Sequence, residues 1–243
     1  SAPPRPPPPS SRATARRIVA LQPPDPPIEP PKQPLPTFCW RNLLILAANP
    51  AATVPVPLIA WMCKIQLGGP AFSIAPSEWI LSAQLVAPLL ALSLLPLEKI
   101  PRLSSLSEVT RASKTISLYA FGTRLAPLRT LVAGTILAAS AAVFEELAFR
   151  GALMGATQKL LAVCSLSPRL AVGGAICTQA LVFGVLHSYT ASRAYFIAAT
   201  VAGAAFGGAF AWSRNLAVPV LMHFVLDLVA FGFCHVQVSR ASE

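Results

Sequence analysis

The feature that most restricts this chain is a set of long stretches carrying no charge at all. From Asn42 to Cys63, Trp79 to Leu97, Leu170 to Ser192 and Ala194 to Ser213 there is not one Asp, Glu, Lys or Arg. Wound as a helix rising about 1.5 Å per residue, each stretch is long enough to cross the roughly 30 Å of hydrocarbon in a bilayer. Two further stretches complete the set. Asn215 to Ser239 is interrupted by Asp227 alone, and Thr130 to Phe144 reaches spanning length only by taking in Glu145, Glu146 and Arg150. Backbone groups in lipid must bond within their own segment, so such spans are helical. The expected fold is all-α: a polytopic integral membrane helix bundle of about six to eight membrane helices over residues 38–236. Charged residues make up only 12% of the chain, where a soluble domain carries about 25%.

The positions of the charges say which partners to expect. The net charge is +10, but no aromatic-rich nucleic-acid motif accompanies the basic residues, and we exclude nucleic acid as a partner. Six basic residues lie at or before Arg41, and six more, Lys99, Arg102, Arg111, Lys114, Arg124 and Arg129, lie in a polar insert at 98–129. With two spans between the groups, both fall on one side of the membrane, the cytosolic, stromal or matrix side. Within the insert, Glu108 to Tyr119 reads as a basic amphipathic helix on an anionic leaflet, so membrane lipid is an expected partner. Residues 1–37 hold fourteen of the twenty-five prolines and an excess of arginine, a composition that neither propagates a helix nor buries a core. We expect a disordered segment resembling a transit region. It favours a plastid (chloroplast) membrane, with the endoplasmic reticulum or a bacterial inner membrane as alternatives. Residues 237–243 are expected to form a tail. The five cysteines are scattered, with no CxxC pair, which argues against a disulfide framework or a zinc site.

Charged or ionisable side chains inside a span are expensive and mark function. Besides Glu145, Glu146 and Arg150, the spans hold His187, His223, Asp227 and His235. His223 and Asp227 are four residues apart, as are Glu146 and Arg150, so each pair shares one helix face. Phe183 and His187 repeat the spacing and set an aromatic ring beneath an imidazole. Two adjacent carboxylates in low dielectric repel and lose hydration, which suits one of them to act as a general base for water while Arg150 holds the other ionised. Imidazoles across a cavity would hold that water and stabilise the oxyanion formed by attack on an amide. The same side chains also suit a metal site, although there is no HExxH.

Glu145, Glu146 and Arg150 as EExxxR, Phe183 and His187 as FxxxH, and His223 with Asp227 as HxxxD occur in that order. Together with FRGAL after the first motif and SRNLAVPVLMH before the third, this resembles the CPBP family, also called the CAAX amino-terminal protease or Abi family, which includes the Ras-converting endopeptidases. The likeness covers residues 130–236. It implies an intramembrane endopeptidase of the glutamate type, metal-independent and without a cofactor, acting on a membrane-anchored or prenylated CAAX protein. Glu145 would activate water, Glu146 and Arg150 would orient and charge-balance it, and His187 would hold the same water. His223 and Asp227 would occupy the oxyanion position, where the prenyl-protein proteases often carry Asn in place of Asp227. An ionised Asp cannot donate to an oxyanion, so Asp227 must be protonated, orient His223, or mark altered chemistry. The alternative function is a non-catalytic scaffold or regulator that stabilises membrane partners; a proton or ion transporter is a third, weakened by the lack of internal repeats.

One geometric expectation follows. With helices starting near Thr130, Leu170 and Asn215, Glu145, His187 and His223 lie ~22, ~26 and ~12 Å along them. Six simple crossings would then leave His187 near the opposite membrane face from Glu145. Residues 152–167 are therefore expected to penetrate the membrane themselves, giving seven or so helices.

Overall fold

Three of the long helices begin with proline in the first turn, where its missing N–H is no loss and its fixed φ suits the helix. In the computed structural model, which describes residues 36–62, 64, 72–95, 100–188 and 193–241, these are Pro76, Pro127 and Pro168. The expected leader up to residue 35, a turn expected at Gly68, Gly69 and Pro70, and Cys63, Glu98 and Lys99 lie outside the described residues. The elements run α1 (Trp40–Ala48), a 3-10 turn (Asn49–Thr53), α2 (Pro55–Met62), α3 (Pro76–Leu94), a second 3-10 turn (Pro101–Leu106), α4 (Ser107–Phe121) and α5 (Pro127–Glu146). A π-helical turn (Leu147–Leu153), α6 (Met154–Val163), α7 (Pro168–His187), α8 (Arg193–Ser213) and α9 (Ala217–Ala241) follow. The fold is all-α, with no strand among the described residues, and six helical segments are long and apolar enough to cross a membrane. Helix α9 continues through residues 237–241, beyond the boundary expected at 236.

The prolines of the first span do what their chemistry dictates. Pro50 and Pro55 interrupt the intrahelical ladder, and the span breaks into α1, the 3-10 turn and α2. The break has a use. The single Thr53 hydroxyl hydrogen lies between Pro50 O at 2.7 Å and Phe144 O at 3.2 Å, bracing the residue before Glu145. Higher up, Ser140 Oγ donates to Ala47 O across the same contact.

Residues 154–163, expected to penetrate the membrane, belong to one of the six candidate spans and not to a separate seventh: α5, the π turn and α6 form one continuous helix, Pro127–Val163, of 37 residues. The chain then reverses through a short turn, with Ser165 in the left-handed region at φ 62°, and α7 runs back beside α6. Eighteen residues separate Glu145 from Val163, and nineteen separate Pro168 from His187. The two arms of the hairpin are thus ~27 and ~29 Å long, which brings His187 back to the level of Glu145. Six spans suffice because the third is long.

Small residues let the helices approach. Ala133, Ala138 and Ala142 of α5 are buried, and a Cβ on Gly134 would sit 3.3 Å from Leu228 of α9. On α8, Gly203 and Gly207 face Ala180 and Gln179 of α7, and a Cβ on Gly203 would lie 3.2 Å from the Ala180 Cα. This is the close packing that small residues at four-residue spacing permit. Gly122, which ends α4 at φ 74°, abuts the backbone of residues 36–38, where a Cβ would lie 2.6 Å from Phe38 N. The outside of the bundle is apolar: Leu128, Leu131, Leu170, Leu181, Val185, Ile197 and Val201 are exposed, and the four tryptophans Trp40, Trp61, Trp79 and Trp212 are exposed near span ends. That pattern fits a lipid-facing surface with interfacial anchors.

Candidate active site

The site is assembled at the centre of the 37-residue helix. Glu145 and Glu146 are the last residues of α5, and the helix then widens into the π turn, a distortion that adjusts side-chain direction and recurs at functional sites. Neighbours in a helix point about 100° apart, and here the two carboxylates enter different surroundings. Glu146 is fully buried, while the Glu145 side chain is 15% exposed and lines a cavity of about 280 Å³.

Behind the cavity wall, Glu146 Oε1 accepts from Arg150 Nη1 at 2.8 Å and from His223 Nδ1 at 2.8 Å. The second guanidinium nitrogen of Arg150 donates to Gly203 O at 3.1 Å. Three rings surround the cation: Phe183 at 4.8 Å, Phe206 at 5.2 Å and Phe149 at 5.8 Å from the guanidinium carbon. A charge removed from water this completely persists only when paired and hydrogen-bonded, and the aromatic faces add attraction.

The cavity wall itself is made from three helices. His187 Nδ1 lies 2.8 Å from Phe183 O. A carbonyl can only accept, so Nδ1 carries the hydrogen, and a neutral ring then turns the Nε2 lone pair outward. Nε2 faces Glu145 Oε2 at 3.8 Å, too far for a direct hydrogen bond, and Oε2 has no hydrogen-bond donor among the described residues. The imidazole rests on the Phe183 ring at 4.2 Å, the arrangement expected from their four-residue spacing. His223 stacks on Phe206 at 5.2 Å. Its Nδ1 is committed to Glu146, and its Nε2 faces Asp227 Oδ2 at 3.4 Å. Asn215 secures the start of α9: its Oδ1 accepts from Ala217 N at 3.0 Å, and its Nδ2 donates to Ser73 O at 3.0 Å.

All six residues expected from the motifs come together, but in two layers. Glu145, His187, His223 and Asp227 line the cavity; Glu146 and Arg150 support it from behind. His235, the remaining histidine, stands apart. It is buried against the Phe121 ring at 5.3 Å. Among the described residues, no group of three or more His, Cys, Asp or Glu is arranged to hold a metal ion.

Several residues outside the three motifs also shape the site. Gln179 is fully buried, and its Nε2 donates at 2.9 Å to the same Gly203 carbonyl that Arg150 uses. Its signal was a lone amide in a charge-free span. Tyr195 lines the cavity with its ring 6.3 Å from His187 and nearly parallel to it. Placed at the head of a span, it reads in sequence as an interfacial anchor. Val109, Ser113 and Ile116 of α4 close the cavity from the polar insert.

Residues 127–229 match a family model described as Rce1-like, type II CAAX prenyl endopeptidase. Comparison with curated proteins and with solved structures gives no match. The matched region contains all six residues of the two layers.

Proposed function

We propose that the chain, whose residues 127–229 match the Rce1-like type II CAAX prenyl endopeptidase family model and which has six apolar helices of membrane-spanning length, cleaves its substrate by a glutamate-type hydrolysis. The observation that carries this reading is the 3.8 Å gap between Glu145 Oε2 and His187 Nε2 on the cavity wall. Both atoms are acceptors, and one water about 2.8 Å from each would donate a hydrogen to both. Glu145 takes one proton as the water oxygen attacks the scissile carbonyl, and returns it to the leaving amine as the C–N bond breaks.

His223 supplies the oxyanion donor. With Nδ1 held by Glu146, the ring presents Nε2, and a proton there can bond the developing negative oxygen. Asp227, 3.4 Å away, keeps that proton on Nε2 and orients the ring, so it need not donate to the oxyanion itself. Glu146 and Arg150 are positioning residues. They fix His223 and the helix turn that aims Glu145.

The substrate is membrane-anchored and prenylated. An apolar chamber of about 310 Å³ adjoins the cavity and shares Val109, Ala198, Ala202 and Leu226 with it, which suits a hydrocarbon anchor held beside the scissile bond. The compartment is a plastid membrane, on the composition of residues 1–37; import of the chain by isolated chloroplasts is the check.

The direct test is cleavage of a prenylated CAAX peptide in proteoliposomes. Wild-type protein is expected to cut it with and without a chelator, and Glu145→Gln to lose cutting while staying folded. Full activity of that variant would sink the peptidase mechanism. Full rescue of a null phenotype by a non-cutting variant would establish the scaffold function instead.

A further inference from the structure

Helix α4 has two faces with different chemistry. Val109, Ser113 and Ile116 line the catalytic cavity, and Leu106, Val109 and Thr110 line the adjoining apolar chamber. Ser107, Arg111, Thr115 and Tyr119, spaced four apart, are exposed on another face, with Lys114 half-buried. The helix packs on the C-terminal half of α9, where Phe121 meets the rings of Phe231 and His235.

Cations from four elements collect at this end of the bundle. Lys114 lies within electrostatic range of Cys234 and Arg129 of His235; Arg124 follows α4, and Arg240 is in the last turn of α9. With Arg111 they make five positive charges beside one carboxylate, Glu108, among the described residues. None of the five forms an ion pair there. Arg129 lies over the Phe38 ring at 4.5 Å and donates to Arg124 O. Unpaired cations at the rim of a lipid-facing bundle sit at headgroup depth, where an anionic leaflet attracts them.

We propose that α4 is a roof over the catalytic cavity held down by anionic lipid. Phosphate headgroups of the leaflet engage Arg111 and Lys114, supported by Arg124, Arg129 and Arg240, and so keep the Val109, Ser113 and Ile116 face on the cavity. Lipid binding stands independently of the peptidase reading; the effect on turnover rests on it.

The test uses the full chain purified in detergent, with thermal unfolding followed as phosphatidylglycerol or phosphatidylcholine is added. The midpoint is expected to rise with phosphatidylglycerol only. Each surface cation contributes a factor of about five in lipid affinity, so Arg111→Gln with Lys114→Gln is expected to weaken it roughly 25-fold. The charge-retaining pair Arg111→Lys and Lys114→Arg is expected to keep the rise. In proteoliposomes, the ratio of wild-type turnover in anionic to zwitterionic lipid is expected to exceed one, and to fall to one in the Gln pair. Glu145→Gln, silent in turnover, is expected to keep the thermal response, so the two readings fail separately. An equal response to both lipids, the same rise with inorganic phosphate alone, or an undiminished response in the Gln pair would each overturn the proposal.

Discussion

Glu145 and Glu146 are chemically identical and adjacent, yet they belong to different regions. Glu146 sits in a closed layer: fully buried, bonded to Arg150 and His223, and backed by the Phe183, Phe206 and Phe149 rings around the arginine. Glu145 lines the cavity and faces a histidine it does not touch. The first arrangement suits rigidity, because its charges are matched inside the protein. The second suits chemistry, because an acceptor left for a ligand can take a proton. One step along a helix separates a carboxylate closed into an ion-pair layer from one that faces the cavity.

The comparison can be broken most sharply at Glu145. Replacement by Gln is expected to lower turnover by about 10²- to 10⁴-fold, the contribution of a general base, with little change in unfolding temperature. A large loss of stability would mean that Glu145 belongs to the closed layer. Arg150→Met is expected to do the reverse first. It leaves Glu146 buried without its cation and destabilises the protein by ~3–5 kcal/mol, read from detergent unfolding. Removing both charges, with Glu146→Leu added, is expected to recover part of that loss, because an apolar pair needs no compensation.

Asp227 sharpens the boundary between the layers. Asp227→Asn keeps an oxygen that can accept from His223 Nε2 but removes the charge. If Asp227 only orients His223, turnover should change by less than about tenfold, or ~1.4 kcal/mol in barrier; complete loss would give the carboxylate a direct part in the reaction. The smallest expected effect on turnover is that of Gly203→Ala. Its Cβ would press on the Ala180 Cα at 3.2 Å, and such overpacking costs about 1–3 kcal/mol. Unfolding temperature should fall, with turnover affected only as far as the Gly203 carbonyl moves away from Arg150.

Much of this was legible in the chain. Absence of charge marked the spans, since lipid excludes ions wherever they lie along a helix. The four-residue pairs were legible for an equally local reason: a helix fixes which side chains share a face. Pro50 and Pro55 break the first span by their chemistry alone. What residues 152–167 left open was whether they form a separate helix, because apolar composition does not say whether a helix ends. Nothing local distinguishes a re-entrant segment from twelve more residues of the same helix followed by a hairpin.

What the sequence determined by itself was thus the solvent, the helical state and the inventory of reactive side chains, all of which depend on residue type and near neighbours. Only the tertiary structure decided that Glu146 faces inward and Glu145 faces the cavity, that a 37-residue helix and its hairpin return His187 to the level of Glu145, and that Tyr195 and α4 line the cavity while Gln179 shares the Gly203 carbonyl with Arg150. Those outcomes depend on where one helix meets another. Interhelical contacts are set by small residues and by the π turn's change of direction, and neither leaves a charge pattern to read.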